Sequence, residues 1–229
     1  MSHNGPETTE DRPGREPAVT APWPPLVLGV ALIGLFVLQG RAPDQELLYL
    51  RYGLSPEAAE QGRRLGFVTS LFVHGNWAHV LMNAIGALAF GAGVARLFGT
   101  RILGAAAFFL FFLVCGALAG AAFVWLKAGA PVVLIGASGG VSGLMGAASR
   151  VIGRERGLAP FTSPSVIGLA VGWLVVNLLV AVLGFAPGAG TTPVAWEAHL
   201  AGYAAGLLLV GPVTALLGRR DAPAFDSRA

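Results

Sequence analysis

Apolar stretches long enough to cross a lipid bilayer recur along the chain, and that property leaves few folds open to it. A helix that spans the hydrocarbon needs about 20 predominantly apolar residues and tolerates very few charges near its centre. Six stretches fit this pattern, at residues 24–39, 67–94, 102–126, 132–148, 165–185 and 194–217. The first and fourth are short, and the second carries polar residues near its start. Composition agrees: of 229 residues 55% are hydrophobic and 12% charged, against roughly 25% charged in an average soluble domain.

Apart from residues 40–66, the connections between these runs are short, so the apolar portion is expected to form one bundle. The expected organisation is an all-α membrane protein with six transmembrane helices over residues 24–218. Residues 1–23 mix charges with Pro, Gly and Thr and lack a hydrophobic face. Such a segment cannot bury enough apolar surface to offset its ordering entropy, and reads as a disordered cytoplasmic tail. Its acidic residues, and the lack of a basic then apolar start, argue against a secretory signal, so the first span is expected to remain as an anchor. Residues 219–229 read as a short cytoplasmic tail.

Lys and Arg near the span ends set orientation. With the N-terminus inside, ten of the 15 basic residues fall on the inner side and five on the outer, which favours both termini in the cytoplasm. The formal charge of +3 then follows from topology. No basic stripe interleaved with aromatics points to nucleic acid. Cys115 is the single cysteine and is expected to pack as a small apolar residue, without a disulfide or a thiolate metal site.

Polar side chains inside a membrane helix are costly, which makes them functional candidates. They cluster in three places: His74, His79 and Asn83 on the second span, Ser138 and Ser142 on the fourth, and His199 on the sixth. His79 and Asn83, four apart, share a helix face. A lone Ser in such a helix usually bonds its own backbone, and a lone His decides little. Three imidazoles could hold zinc, but the spacing of His74 and His79 is not the i,i+4 pair of a metalloprotease helix and no carboxylate stands beside them in the second span.

Glycine placement adds the next step. Gly139 and Gly143 form one small-residue face, and Gly202 and Gly206 another; helices bearing such faces approach closely. Packing of those two faces would bring Ser138 within reach of His199, the arrangement that a nucleophile and its base require. A neutral imidazole can take the serine proton at physiological pH. The developing oxyanion needs donors held in advance, for which Asn83, His79 and the Ser138 N–H are candidates. The "GASGG" run, Gly136 to Gly140, lets the backbone turn and a peptide lie close.

With "GASG" at 136–139, "HLAGYAAG" at 199–206 and "HGNWAHVLMN" at 74–83, the chain resembles the rhomboid family of intramembrane serine proteases over about residues 65–210. The resemblance implies a six-helix rhomboid-like bundle and a Ser–His dyad without a third acid. Ser138 would be nucleophile and His199 base, with His79, Asn83 and Gly136 stabilising oxyanion or substrate and His74 a candidate supporting residue. It implies no cofactor and transmembrane protein substrates cut in or near their membrane segments. Residence in a bacterial inner membrane is expected from the Ala- and Gly-rich spans, the short tail and the lack of a targeting presequence.

Two positions depart from the family pattern. Leu65 and Gly66 stand where many members carry Trp-Arg, and Ser142 where many carry an aromatic residue that stacks on the base. The "GASGG" run also fits the nucleophile elbow of soluble hydrolases, but that elbow needs a preceding strand, which the long apolar runs do not provide. Glu197, two residues before His199, does not face it on a helix and is expected in water at the outer end of the sixth span. A catalytically silent binder of transmembrane segments is the alternative reading. A small transporter would call for charges deeper in the bundle and for repeated halves.

Overall fold

A computed structural model describes residues 21–154, 157–183 and 194–218. Their helices are, in order, α1 (Trp23–Gln39), α2 (Gln45–Tyr52), α3 (Pro56–Glu60), α4 (Gly66–Thr69), α5 (Trp77–Phe98), α6 (Ile102–Leu126), α7 (Ser138–Ser149), α8 (Pro164–Leu183) and α9 (Trp196–Leu216), with a 3-10 turn at Ser70–Phe72 after α4. Four of them, α5, α6, α8 and α9, are long and apolar enough to cross a membrane, and α1 is a shorter apolar helix. The protein is a multi-pass, all-helical membrane protein. The expected end of the fifth span at residue 185 lies outside the described residues, as do residues 1–20 of the N-terminal tail and all of 219–229.

The helices within the second and fourth apolar runs begin later than the sequence pattern suggested. Residues 67–72 do not join α5 but form the end of α4 and the 3-10 turn, after which Val73 is extended. Helix α5 starts only after Asn76, whose side-chain oxygen accepts the His79 N–H at 2.8 Å and so caps the helix. His74 is therefore in a loop, not on the second spanning helix. Residues 132–137 are likewise not helical; Leu134 exchanges both backbone hydrogen bonds with Leu54, at 3.0 and 2.7 Å. Gly136 then takes a φ of +111°, a conformation closed to most side chains, and α7 begins at Ser138.

With 12 residues, α7 is about 18 Å long at 1.5 Å per residue, well short of the roughly 30 Å hydrocarbon thickness. Its position explains how so short and glycine-rich a helix persists. Every residue from Gly139 to Ser149 is buried, in a cage of α5, α6 and α9. Because lipid is as apolar as the side chains, close van der Waals packing is what holds such helices together. The α7–α9 contact is backbone against backbone: a Cβ on Gly202 would fall on the Gly139 carbonyl, one on Gly206 on the Gly143 carbonyl, and one on Gly146 on the Tyr203 carbonyl. Helix α8 lies at the edge, and of its residues only Val166 and Asn177 are buried.

The stretch between α1 and α5 is more than a connection. Gly66 packs its bare backbone against the Gly53 carbonyl, 2.8 Å from where a Cβ would sit, and the Thr69 hydroxyl donates to the Tyr52 carbonyl at 2.6 Å. Leu65, beside it, is exposed. These contacts hold the segment that leads into the His74 loop.

Candidate active site

The close approach of α7 and α9 places Ser138, the first residue of α7, against His199 in the first turn of α9. Ser138 Oγ lies 2.9 Å from His199 Nε2. Both side chains are half-buried, between the buried neighbours Gly139 and Ala198. As the first residue of its helix, Ser138 has a backbone N–H with no partner inside α7, available beside its own hydroxyl.

The loop before Ser138 is fixed from two sides. Gln39, at the end of α1, donates to the His74 carbonyl at 2.6 Å and accepts the His74 N–H at 3.1 Å. His74 Nε2 in turn accepts the N–H of Ala137, the residue before the serine, at 3.3 Å. His74 is outside the membrane-spanning helices and wholly buried; burial first, and the nearby His79 ring second, hold its pKa down to about 3. The ring is thus neutral and keeps the lone pair that this bond needs. His74 supports the loop before Ser138 through the Ala137 N–H.

His79 and Asn83 come from α5, one turn apart on one face. A Cβ at residue 136 would strike His79 Nε2, so the bare Gly136 backbone makes room for that ring as well as for the turn. Gly136 donates its own N–H to the Ser70 carbonyl at 2.8 Å, so that N–H is not open to an oxyanion. Asn83 is buried, and its amide donates to the His79 carbonyl at 3.0 Å. That bond uses one of its two N–H groups and leaves the second. The rings of His74 and His79 meet edge to face, 5.1 Å between centroids.

Gln39 was not in the set read from the sequence, nor were two residues that contact His199, both of which come from α8. Asn177 is 1% exposed, and its Oδ1 is 2.9 Å from His199 Nδ1. Trp173, one turn earlier, lies beside the same imidazole, with ring centroids 5.7 Å apart and planes at 34°. An aromatic neighbour for His199 thus comes from α8, not from position 142. The signal for Asn177 was present: a lone amide within "GWLVVNLLVAV" is as costly in a membrane helix as the histidines were.

Glu197 differs from the expectation of a solvated residue. It is 7% exposed and pairs with Lys127, at the C-terminal end of α6, at 2.6 Å. The pair ties the end of α6 to the start of α9, and burial of a carboxylate at this point is offset by its proximity to the ammonium. A cavity of about 360 Å³ lined by Leu158, Gly211, Pro212, Thr214 and Ala215 lies toward the other end of α9. It is about 18 Å from the His199 level, taking 1.5 Å per residue, and contributes nothing to the dyad.

The family model for the rhomboid domain matches residues 61–215, a span that holds every site residue above except Gln39. No curated protein matches the chain.

Proposed function

The chain belongs to the rhomboid family, and from that premise we propose that it is an intramembrane serine endopeptidase that cleaves transmembrane or juxtamembrane segments of other membrane proteins. The observation that carries this reading is the 2.9 Å approach of Ser138 Oγ to His199 Nε2. A silent relative that only binds membrane segments has no need to keep this pair at hydrogen-bond distance.

In the proposed reaction, Ser138 Oγ attacks the scissile carbonyl carbon while His199 Nε2 takes its proton. The carbonyl oxygen becomes an oxyanion held by the Ser138 N–H, the remaining Asn83 amide hydrogen and the His79 ring. Collapse expels the amine, which takes the proton back from His199 Nε2, and leaves an acyl-serine. Water, deprotonated by the same nitrogen, then attacks the acyl carbon; the ester bond to Ser138 breaks, Oγ takes the proton back from His199 Nε2, and the acid is released. Substrate helices must unwind locally to present a carbonyl, which favours small or helix-breaking residues at the cut. The excess of Lys and Arg on the side of the termini supports a cytoplasmic location for both, and the Ala- and Gly-rich spans support a bacterial inner membrane.

Ser138→Ala tests the proposal. It removes one half-buried hydroxyl and should abolish cleavage of a transmembrane substrate in liposomes, and labelling by a fluorophosphonate, while the purified protein stays folded. Undiminished cleavage by this variant would reject Ser138 as nucleophile. Absence of both cleavage and labelling in the unaltered protein would favour the silent binder.

A further inference from the structure

The dyad has a third partner. We infer that Asn177 is a positioning residue that holds His199 in the tautomer with its hydrogen on Nδ1, so that a bare Nε2 faces Ser138.

The assignment follows from hydrogen-bond direction. The Asn177 amide nitrogen lies 2.8 Å from the Trp173 carbonyl. A carbonyl cannot donate, so the NH2 end of the amide must point there and the oxygen must point the other way. That oxygen lies 2.9 Å from His199 Nδ1. It can only accept, so Nδ1 carries the hydrogen. A neutral imidazole has a single N–H; Nε2 is therefore left with its lone pair, 2.9 Å from the serine hydroxyl.

The same contact contributes as the reaction proceeds. When Nε2 takes the serine proton the ring becomes cationic, and the bond from Nδ1–H to Asn177 becomes charge-assisted and stronger. An interaction that strengthens as charge develops is of the kind that raises kcat. Helix α8 is otherwise turned outward, and Asn177 is its one polar residue among the two that are buried. The orientation of the base thus depends on an otherwise peripheral helix.

This inference rests on the proteolytic reading for its kinetic arm alone. Nitrogen-15 spectra of the detergent-solubilised protein report the His199 tautomer whether or not any substrate is cut, with His199→Ala providing the assignment. The unaltered protein should show His199 protonated at Nδ1. Asn177→Leu, similar in size, should move the hydrogen to Nε2 in a large share of molecules and lower kcat about 10- to 100-fold, the usual range for a hydrogen bond to a charged group, with KM nearly unchanged. Asn177→Asp retains the acceptor and should restore both the tautomer and much of kcat. If Asn177→Leu does not fold, Asn177→Val, which likewise offers no acceptor, carries the same test with the same expectations. An Asn177→Leu or Asn177→Val protein whose His199 keeps its hydrogen on Nδ1 and whose kcat stays within about twofold of the parent, below what any such hydrogen bond contributes, would overturn the assignment.

Discussion

A single added methyl at Gly206 should disable the site from two turns away. The Cβ of Gly206→Ala falls on the Gly143 carbonyl, with the Cα of Gly143 2.7 Å away. Raising that second contact to an ordinary 3.4 Å takes about 0.7 Å, and the carbonyl oxygen asks for more. The obstacle is main chain inside a helix, so no rotamer change relieves it, and α7 and α9 must part by on the order of 1 Å. Gly206 is seven residues after His199, about 10 Å along the same face of α9. The displacement is therefore carried to the dyad, where 2.9 Å becomes about 3.9 Å, beyond hydrogen-bond range. A misplacement of this size costs about 10²-fold in rate, and the overpacking about 1–3 kcal/mol in stability. Cleavage of a transmembrane substrate in liposomes reads the first effect and thermal unfolding in detergent the second. Gly168→Ala on α8, where nothing lies within 4 Å of the new Cβ, is the control and should leave cleavage unchanged without lowering the unfolding temperature. If Gly206→Ala cleaves at the parental rate and unfolds at the parental temperature, the backbone contact does not set the dyad distance and the reasoning fails.

Two further outcomes follow from buried polar groups. Lys127→Met should destabilise the protein by about 1–3 kcal/mol, because it strands the buried Glu197 carboxylate, whereas Glu197→Gln leaves a half-exposed ammonium and should cost less than about 1 kcal/mol; equal losses on unfolding in detergent would contradict this asymmetry. The folded protein resists protonation of His74 down to about pH 3, whereas the unfolded chain takes that proton near pH 6.5. The stability contributed is fully present above pH 6.5 and is lost as pH falls through that window, by about 2 kcal/mol at pH 5. His74→Gln should flatten the dependence of unfolding temperature on pH between 7 and 5, and parallel curves for variant and parent would refute the assignment.

Much of this fold is legible in the sequence because the membrane imposes a coarse rule. An apolar run of sufficient length becomes a helix, and α6, α8 and α9 begin within two residues of where hydropathy places them. The misplaced starts have local causes that hydropathy cannot weigh. The run from 67 continues without a charge into α5, but Asn76 offers a cap and the 3-10 turn takes the residues before it. The fourth run is apolar from 132, yet Gly136 and the bridge to Leu54 keep its first part extended.

The sequence by itself determined which chemical groups were available and which helices could touch. A hydroxyl, three imidazoles and an amide inside apolar runs, together with small residues at helical spacing on the fourth and sixth runs, follow from composition and period alone. Only the tertiary structure decided what those groups face. Asn177 and Trp173 reach His199 because α8 presents one narrow stripe to the bundle, and Glu197 is buried because the end of α6 brings Lys127 to it. Periodicity specifies a residue's angle about its own helix axis but not the rotation and height of one helix against another. Those are set by close packing of backbones such as Gly143 on Gly206, between residues far apart in the chain.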